Sequence, residues 1–110
     1  MHAFDVLADP VRRRVVELIA DGELASGDIA TRIRDEFGIT APAVSQHLKV
    51  LREAGFATVR AVGARRLYAL DPAPLAEVDT WLDPYRWLWA HRLDALDTEI
   101  RRGRREEKTP

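Results

Sequence analysis

The sequence predicts a predominantly helical α+β fold in which a two-stranded β-hairpin precedes a long last helix. Three observations predict this class. In four segments before residue 55, apolar residues recur every three or four positions, which is the period of helices that bury one face. The pattern then alternates on both sides of Gly63-Ala64, as in a hairpin with a two-residue turn. After Asp71 the helical period returns and persists to Ile100.

The composition excludes several classes of protein. A chain of 110 residues, of which 46% are hydrophobic, indicates one domain with a small core, and association with a second copy would help to stabilise it. The chain has no cysteine, which excludes disulfides, thiolate nucleophiles and cysteine-ligated metals. No apolar run approaches the ~20 residues of a membrane span, and the N-terminus lacks the pattern of a secretion signal. We therefore expect a cytoplasmic protein.

The first two helices are predicted to meet at Asp9-Pro10. The first covers about residues 1–8, with Phe4 and Leu7 facing the core. Asp9 then acts as the N-cap, Pro10 occupies the first turn, and the second helix runs to about Ala20. Three consecutive arginines spread around its axis, so we expect most of them in solvent and one beside a phosphate or an acidic residue: Arg12, Arg13 and Arg14.

The third helix is predicted to begin at Ser26, whose hydroxyl would cap it, with Asp28 placed favourably for the helix dipole. Gly38 ends this helix and lets the chain turn towards Thr40. Two helices joined by a short glycine-containing turn form a helix-turn-helix. The residues expected in the core recur at every fourth position: Ile29, Ile33 and Phe37.

The fourth helix, residues 41–54, has the most informative sequence. Thr40 is a candidate N-cap that accepts from the Ala43 amide, and Ile39 would pack against Val44 as a hydrophobic staple. Pro42 lies early in the first turn, where it costs no backbone hydrogen bond. An apolar stripe at i, i+4 and i+7 is formed by Val44, Leu48 and Leu51.

The opposite face of this helix carries Pro42, Gln46 and Lys49, with Ala43 at its edge. Small and amide side chains suit a helix in the DNA major groove, because they allow close approach, an amide pairs with adenine, and a methyl group contacts thymine. Considered alone, the segment fits better with a capped amphipathic helix whose outer face meets only solvent. The interpretation therefore depends on the neighbouring elements.

The predicted hairpin, Phe56–Ala61 and Arg66–Leu70, has Arg60, Arg65 and Arg66 near its tip. Directly after a helix-turn-helix, such a hairpin would be a wing on the DNA backbone or in the minor groove. The alternative is a hairpin that covers the core, with its arginines in water. The net charge of −1 argues against a nucleic-acid binder. Between Lys49 and Arg66, however, five basic residues face one acidic residue, and such a stripe would bind phosphates in a salt-dependent manner.

The last segment is apolar on more than one face. Pro84 removes a hydrogen bond and clashes with the preceding turn, so we expect a kink, or a restart with Asp83 as the cap. Trp81, Trp87 and Leu88 widen the apolar surface, which then needs more than one partner. We expect the same helix of a second subunit to be that partner, and the alternative is that the tryptophans only cover the domain. The main stripe contains Leu75, Val78, Leu82, Tyr85, Trp89, Leu93, Leu96 and Ile100.

These elements and motifs resemble the ArsR/SmtB-type winged helix-turn-helix repressors of bacteria over nearly the whole chain. The specific block is Pro42 to Gly55, and support comes from Leu7-Ala8-Asp9-Pro10-Val11-Arg12, the hairpin, Trp81-Leu82 and Arg92-Leu93-Asp94. The resemblance implies a homodimer that represses transcription by placing two copies of helix 41–54 in successive major grooves of an inverted-repeat operator. We accordingly expect a DNA-binding core at 1–71, a C-terminal dimerisation helix at 72–102, kinked or broken near residue 84, and a flexible tail at 103–110.

The resemblance also assigns roles to individual positions. The residues expected to approach bases or phosphates are Thr40, Pro42, Ala43, Ser45, Gln46, His47, Lys49, Arg65 and Arg66. The residues expected at the dimer interface are Phe4, Leu7, Leu82, Tyr85, Trp89, Leu93 and Leu96.

Many members of this family sense metals, and this chain departs from their pattern. The third helix has no thiol between Ile29 and Ile33, and the last helix offers only His91, with Asp94 and Asp97 nearby. His91 and Asp94, at i and i+3, could contact one metal ion, but two ligands are too few for a closed site, so we expect no metal and no cofactor. The pattern is similar to the branch without metal-binding cysteines, whose inducers are often unidentified.

Three other functions differ from this prediction. A sensor of the same fold would release DNA on binding a metal or an unidentified small-molecule effector. A protein-interaction module would use the winged helix without binding DNA. An enzyme is not expected, since the sequence has no nucleophile–base pair, glycine-rich phosphate loop or metal cluster.

Overall fold

The computed structural model describes residues 2–107, with side chains as far as Gly103. It contains the helices α1 (Ala3–Leu7), α2 (Pro10–Ala20), α3 (Ser26–Phe37), α4 (Ala41–Glu53) and α5 (Ala73–Glu107), and the strands β1 (Leu24–Ala25), β2 (Ala57–Val62) and β3 (Arg65–Leu70). This is the predicted class, a mostly helical winged helix-turn-helix. The chain forms two compact units, one ending at Val78 and the other beginning at Asp79.

The predicted N-caps of α2 and α4 are confirmed. Asp9 Oδ1 accepts hydrogen bonds from the backbone N–H groups of Val11 and Arg12, at 2.8 and 3.1 Å. Thr40 Oγ1 accepts from the Ala43 N–H at 3.3 Å. Each cap satisfies backbone donors that the first turn of a helix leaves unpaired, so both helix starts are fixed locally.

The predicted cap of α3 is wrong. Ser26 is already inside the helix, and Ala25 at the N-cap position supplies no side-chain hydrogen bond. Ala25 belongs instead to β1, which pairs with β3 in the registers Leu24↔Tyr68 and Ala25↔Leu67. Strand pairing therefore fixes the entry to α3, where the sequence indicated a side-chain cap.

The sheet has three strands in the order β1-β3-β2, all antiparallel, so β1 adds a third strand to the predicted two-stranded hairpin. β2 and β3 form the predicted hairpin around Gly63-Ala64, and Gly63 has a φ of 61°, a left-handed conformation that suits glycine. A two-residue strand such as β1 is too short to show an alternating pattern in the sequence.

The core of the first unit joins α1–α4 to the hairpin. The buried stripe of α4 is confirmed, and Ile29 and Ile33 of α3 are buried as predicted. Phe56, which precedes β2, is also fully buried. The buried cluster consists of Ala3, Val6, Val11, Val15, Val16, Ile19, Ile29, Ile33, Val44, Leu48, Leu51, Phe56, Ala57 and Tyr68.

Two aromatic residues predicted in the core are exposed. Phe4 and Phe37 each retain 38% of their accessible surface. In α1, which begins at Ala3, the buried positions are Ala3 and Val6, so Phe4 is turned outwards while Leu7 is half-buried. In α3, a repeat of four residues drifts about 40° around the axis at each step, which carries Phe37 to the edge of the stripe.

The arginines of α2 bind protein groups, against the expectation that most would lie in solvent. Arg12 Nε donates to the Val6 carbonyl and Arg13 Nη1 to the Leu7 carbonyl, each at 2.9 Å. These carbonyls end α1, so the two guanidinium groups cap it from the next helix. One arginine of the triplet was expected beside an acidic residue, and Arg14 fulfils this expectation. Arg14 Nε lies 2.9 Å from Glu36 Oε2, and Arg14 Nη1 lies 3.2 Å from Glu17 Oε2.

The last helix is continuous through Pro84, so the predicted restart there is wrong. Asp71 accepts from the Ala73 N–H at 3.0 Å where α5 begins, and Asp83 forms an ion pair with Arg86 at 3.3 Å. One proline removes one hydrogen bond, and the helix retains those of the turns around it.

Residues 103–107 of the predicted tail belong to α5, and 108–110 lie outside the described residues. Within the described part of the chain, no helix combines the length and apolar character that crossing a bilayer requires.

Candidate DNA-binding surface

The outer face of α4 is accessible and polar. Thr40, Pro42, Ser45 and Gln46 are exposed, while the apolar stripe of the same helix is buried. The Gln46 amide has no hydrogen-bond partner among the described residues, so its donor and acceptor remain available. The helix is therefore anchored by its apolar side and presents a solvent-accessible amide on the other side.

A second flank of α4 is turned towards the protein. Ala43, His47 and Val50 are half-buried there. His47 Nδ1 lies 3.9 Å from Asp9 Oδ1, in the cap of α2. The structure thus separates His47 from Gln46, although the sequence predicted that both approach DNA.

Cationic side chains from α4 and the hairpin meet in a groove between α4 and β3. This α4–β3 groove has a volume of about 240 Å³. It brings together Lys49 and Arg66, which were predicted as separate DNA contacts, with Arg52, which was predicted in the basic stripe but not among the individual DNA-binding residues. The signal was present in the sequence, because Ser45, Lys49 and Arg52 are spaced i, i+4 and i+7 on one face. The groove is lined by Ser26, Ser45, Leu48, Lys49, Arg52, Arg66 and Tyr68.

Two other arginines of the hairpin form ion pairs with acidic residues of the same unit. Arg60 Nε lies 2.8 Å from Glu23 Oε2, and this hydrogen bond raises the pKa of Arg60. Arg65 Nη2 lies 3.5 Å from Asp28 Oδ2, and both side chains remain largely exposed. Arg65, predicted to reach outwards, is therefore tied to the first turn of α3.

The stripe predicted for dimerisation is exposed on α5, where Tyr85, Leu93 and Leu96 each leave about half of their surface accessible and Leu82 is half-buried. Trp89 is 60% exposed and Trp87 is 71% exposed. These two tryptophans are two residues apart, about 200° around the helix, so they belong to opposite faces. Trp87 stacks on His91 with ring centroids 5.4 Å apart.

No metal-binding cluster is found among the described residues, in the sense of three or more His, Cys, Asp or Glu side chains that could hold one ion. His91, the histidine of α5, has an aromatic neighbour in Trp87.

Comparison with known proteins gives consistent matches. Residues 7–60 match the model of a helix-turn-helix domain family. The HTH-type transcriptional regulator Rv2034 of Mycobacterium tuberculosis is 46% identical over 84 residues, which cover 76% of this chain and 75% of that protein. The transcriptional repressor SdpR of Bacillus subtilis is 30% identical over 81 residues, covering 74% of this chain and 86% of that protein.

Solved structures agree with these relatives. A crystal structure described as a possible transcriptional regulator for arsenical resistance matches with a TM-score of 0.67 and 37% identity, covering 90% of this chain and 96% of that chain. An ArsR family transcriptional regulator matches with a TM-score of 0.64 and 26% identity, covering 80% of this chain and 87% of that one. With its winged helix-turn-helix and the exposed polar face of α4, the chain belongs to the ArsR family of DNA-binding transcriptional regulators.

Proposed function

We propose that the chain is a homodimeric repressor that binds an inverted-repeat operator, with α4 in the major groove and the hairpin as the wing. The observation that carries this proposal is the exposed polar face of α4 beside the basic α4–β3 groove. Bases are read by hydrogen-bonding side chains, whereas phosphates are held by cations, and here the two kinds of group lie side by side. The chain would act on DNA in the cytoplasm and catalyse no reaction.

Gln46 is the main base reader in this proposal. Its amide can form two hydrogen bonds with the edge of an adenine, a pairing that amides make in the major groove. Ser45 precedes it on the exposed side of α4, and Pro42 and Ala43 keep the N-terminal end of the helix small enough for close approach. Lys49 and Arg66, which line the α4–β3 groove, contact the phosphate backbone of the DNA.

The second copy is proposed to pack on the apolar stripe of α5, together with Phe4 and Leu7 of α1. A run of exposed apolar side chains along one face is typical of an interaction surface in a soluble protein. A two-fold dimer would present two α4 helices, which can bind successive major grooves about 34 Å apart only on a site with inverted symmetry.

The test is selection of bound duplexes from a random library, followed by fluorescence anisotropy at several salt concentrations. We expect an inverted repeat with half-sites about one helical turn apart, two chains per duplex, and affinity that falls steeply with salt. An absence of salt-dependent binding to any duplex, including the chain's own promoter region, would instead indicate a protein-interaction module.

A further inference from the structure

The α4–β3 groove contains three cationic side chains from two elements. Lys49 and Arg52 are three residues apart on α4, and Arg66 lies on β3. Leu48 and Tyr68, both buried, belong to the same groove and hold its two walls in the core. The separation of the cations is thus fixed by the packing of α4 against the hairpin.

These cations have few compensating charges. Lys49 has one acidic partner, Glu53, at 4.0 Å, which is a long and exposed ion pair. Arg52 and Arg66 form no ion pair within the described residues, whereas Arg60 and Arg65 on the same hairpin are each paired with a carboxylate. A groove lined by one sign of charge concentrates a positive potential, which attracts an anion of matching size.

We propose that this groove is a clamp for a single DNA phosphate, in which Arg52 is a positioning residue that acts jointly with Arg66. The inference rests on the proposed function and deepens it. A guanidinium group from each wall can form paired hydrogen bonds to phosphate oxygens, and Lys49 adds a third charge. The hydroxyls of Ser45 and Ser26, which also line the groove, are further donors.

The clamp has a consequence for how bases are read. Lys49 and Arg52 follow Gln46 on the same helix, so a phosphate fixed between them and the wing sets how far α4 enters the groove and which base meets Gln46. Phosphate contacts of this kind determine register without carrying sequence information themselves. Loss of Arg52 should therefore weaken binding to all sequences about equally.

The experiment measures operator affinity by anisotropy between 50 and 200 mM salt for Arg52→Gln, Arg66→Gln, the double variant and Arg32→Gln. Arg32 is the matched control, because its charge interacts with Glu36 on α3 and it does not line the groove. Each single groove variant should lose roughly five- to ten-fold in affinity at 0.1 M salt. It should also lower the salt slope, which is the slope of log affinity against log salt, by roughly 1.8, because about 0.9 is lost with one phosphate contact in each of the two half-sites. The double variant should lose hardly more than either single variant, because both arginines bind one phosphate.

A duplex with one neutral methylphosphonate in each half-site provides a second test, whose first measurement uses only the wild-type chain. At one backbone position of each half-site, this change should weaken wild-type binding and leave Arg52→Gln unaffected. Equal salt slopes for wild type and Arg52→Gln, or additive losses in the double variant, would overturn the clamp while leaving the repressor proposal intact. If the wild-type chain bound no duplex, the proposed function itself would fail.

Discussion

His47 Nδ1 lies 3.9 Å from Asp9 Oδ1, and this contact joins α4, the proposed recognition helix, to the cap of α2. Asp9 already accepts two backbone hydrogen bonds, so one carboxylate holds the start of α2 and faces α4. Partial burial alone would raise the pKa of Asp9, but the hydrogen bond from the Arg12 N–H, the nearby His47 and the Val11 N–H outweigh it and lower the pKa.

Two substitutions of Asp9 should distinguish the stabilisation due to helix capping from that due to its negative charge. Asp9→Ala removes the cap and should lower the free energy of unfolding by about 1 kcal/mol, whereas asparagine also caps helices well, so Asp9→Asn should lose less at neutral pH. Urea unfolding at one fixed protein concentration measures both variants. Equal losses would mean that the cap contributes little.

The sign of the pH dependence follows from the lowered pKa. As the pH falls below about 4, the Asp9 carboxyl group takes up a proton more readily in the unfolded chain than in the folded chain. The stabilisation by Asp9 is therefore present above about pH 4 and is lost as the pH falls further. The stability of Asp9→Asn should therefore fall less steeply than that of the wild type below about pH 4. A parallel fall in both proteins would contradict the role given to Asp9.

Substitutions of Gln46 and Lys49 should affect DNA binding in different ways. Gln46→Ala should cost about 1–3 kcal/mol on the selected operator and relax the preference at one base position, because the lost contact is to a base edge. Lys49→Ala should weaken all duplexes similarly and flatten the salt slope by about one phosphate contact in each half-site. Repeating the duplex selection with each variant tests this, and identical behaviour of the two would refute the division into reader and anchor.

The structure shows why the caps of α2 and α4 were predictable and some helix faces were not. Asp9 and Thr40 bond to residues two or three positions away, so their partners were visible in the sequence. The orientation of a terminal residue such as Phe4 or Phe37 depends on where its helix begins and on drift along the stripe. A spacing rule applied from the middle of a helix therefore placed both wrongly.

Contacts between residues that are far apart in the sequence could not be predicted from local sequence patterns. Arg65 meets Asp28 across 37 residues of sequence, and β1 pairs with a strand more than forty residues later. Such pairs form only after α3 and the hairpin pack on a common core. For the same reason the charges of Lys49 and Arg66 were recognised, but their meeting with Arg52 in one groove was not.

The Arg65–Asp28 ion pair should oppose DNA binding. A phosphate that binds Arg65 must compete with the Asp28 carboxylate, and that carboxylate then repels the DNA. Asp28→Asn should raise the affinity for any duplex by about two- to five-fold at low salt, an effect of the size of one exposed ion pair, and high salt should abolish the gain. Asp35→Asn, at the other end of α3, is the control. Unchanged or weaker binding by Asp28→Asn would show that Arg65 works only as a structural partner of α3.

Zinc should leave operator binding unchanged. A closed zinc site needs four ligands, and the described residues contain no group of even three candidate side chains. Competition with a chromophoric chelator measures zinc affinity, and anisotropy with and without zinc measures its effect on the complex. Stoichiometric zinc uptake accompanied by release of DNA would favour the metal-sensor alternative.

Two of the exposed tryptophans of α5, Trp87 and Trp89, provide a matched test of the dimer. Trp89 belongs to the proposed interface stripe, whereas Trp87 lies about 200° away and stacks on His91. Trp89→Arg buries an unpaired charge in a dimer and should shift sedimentation at micromolar concentration to the monomer, with at least a ten-fold loss of operator affinity. Trp87→Arg should leave both measurements within about two-fold of the wild type, because its face meets no partner in the proposed dimer. If both variants stayed dimeric, the stripe would not be the interface. If both became monomeric, the partner would have to cover more than one face of α5.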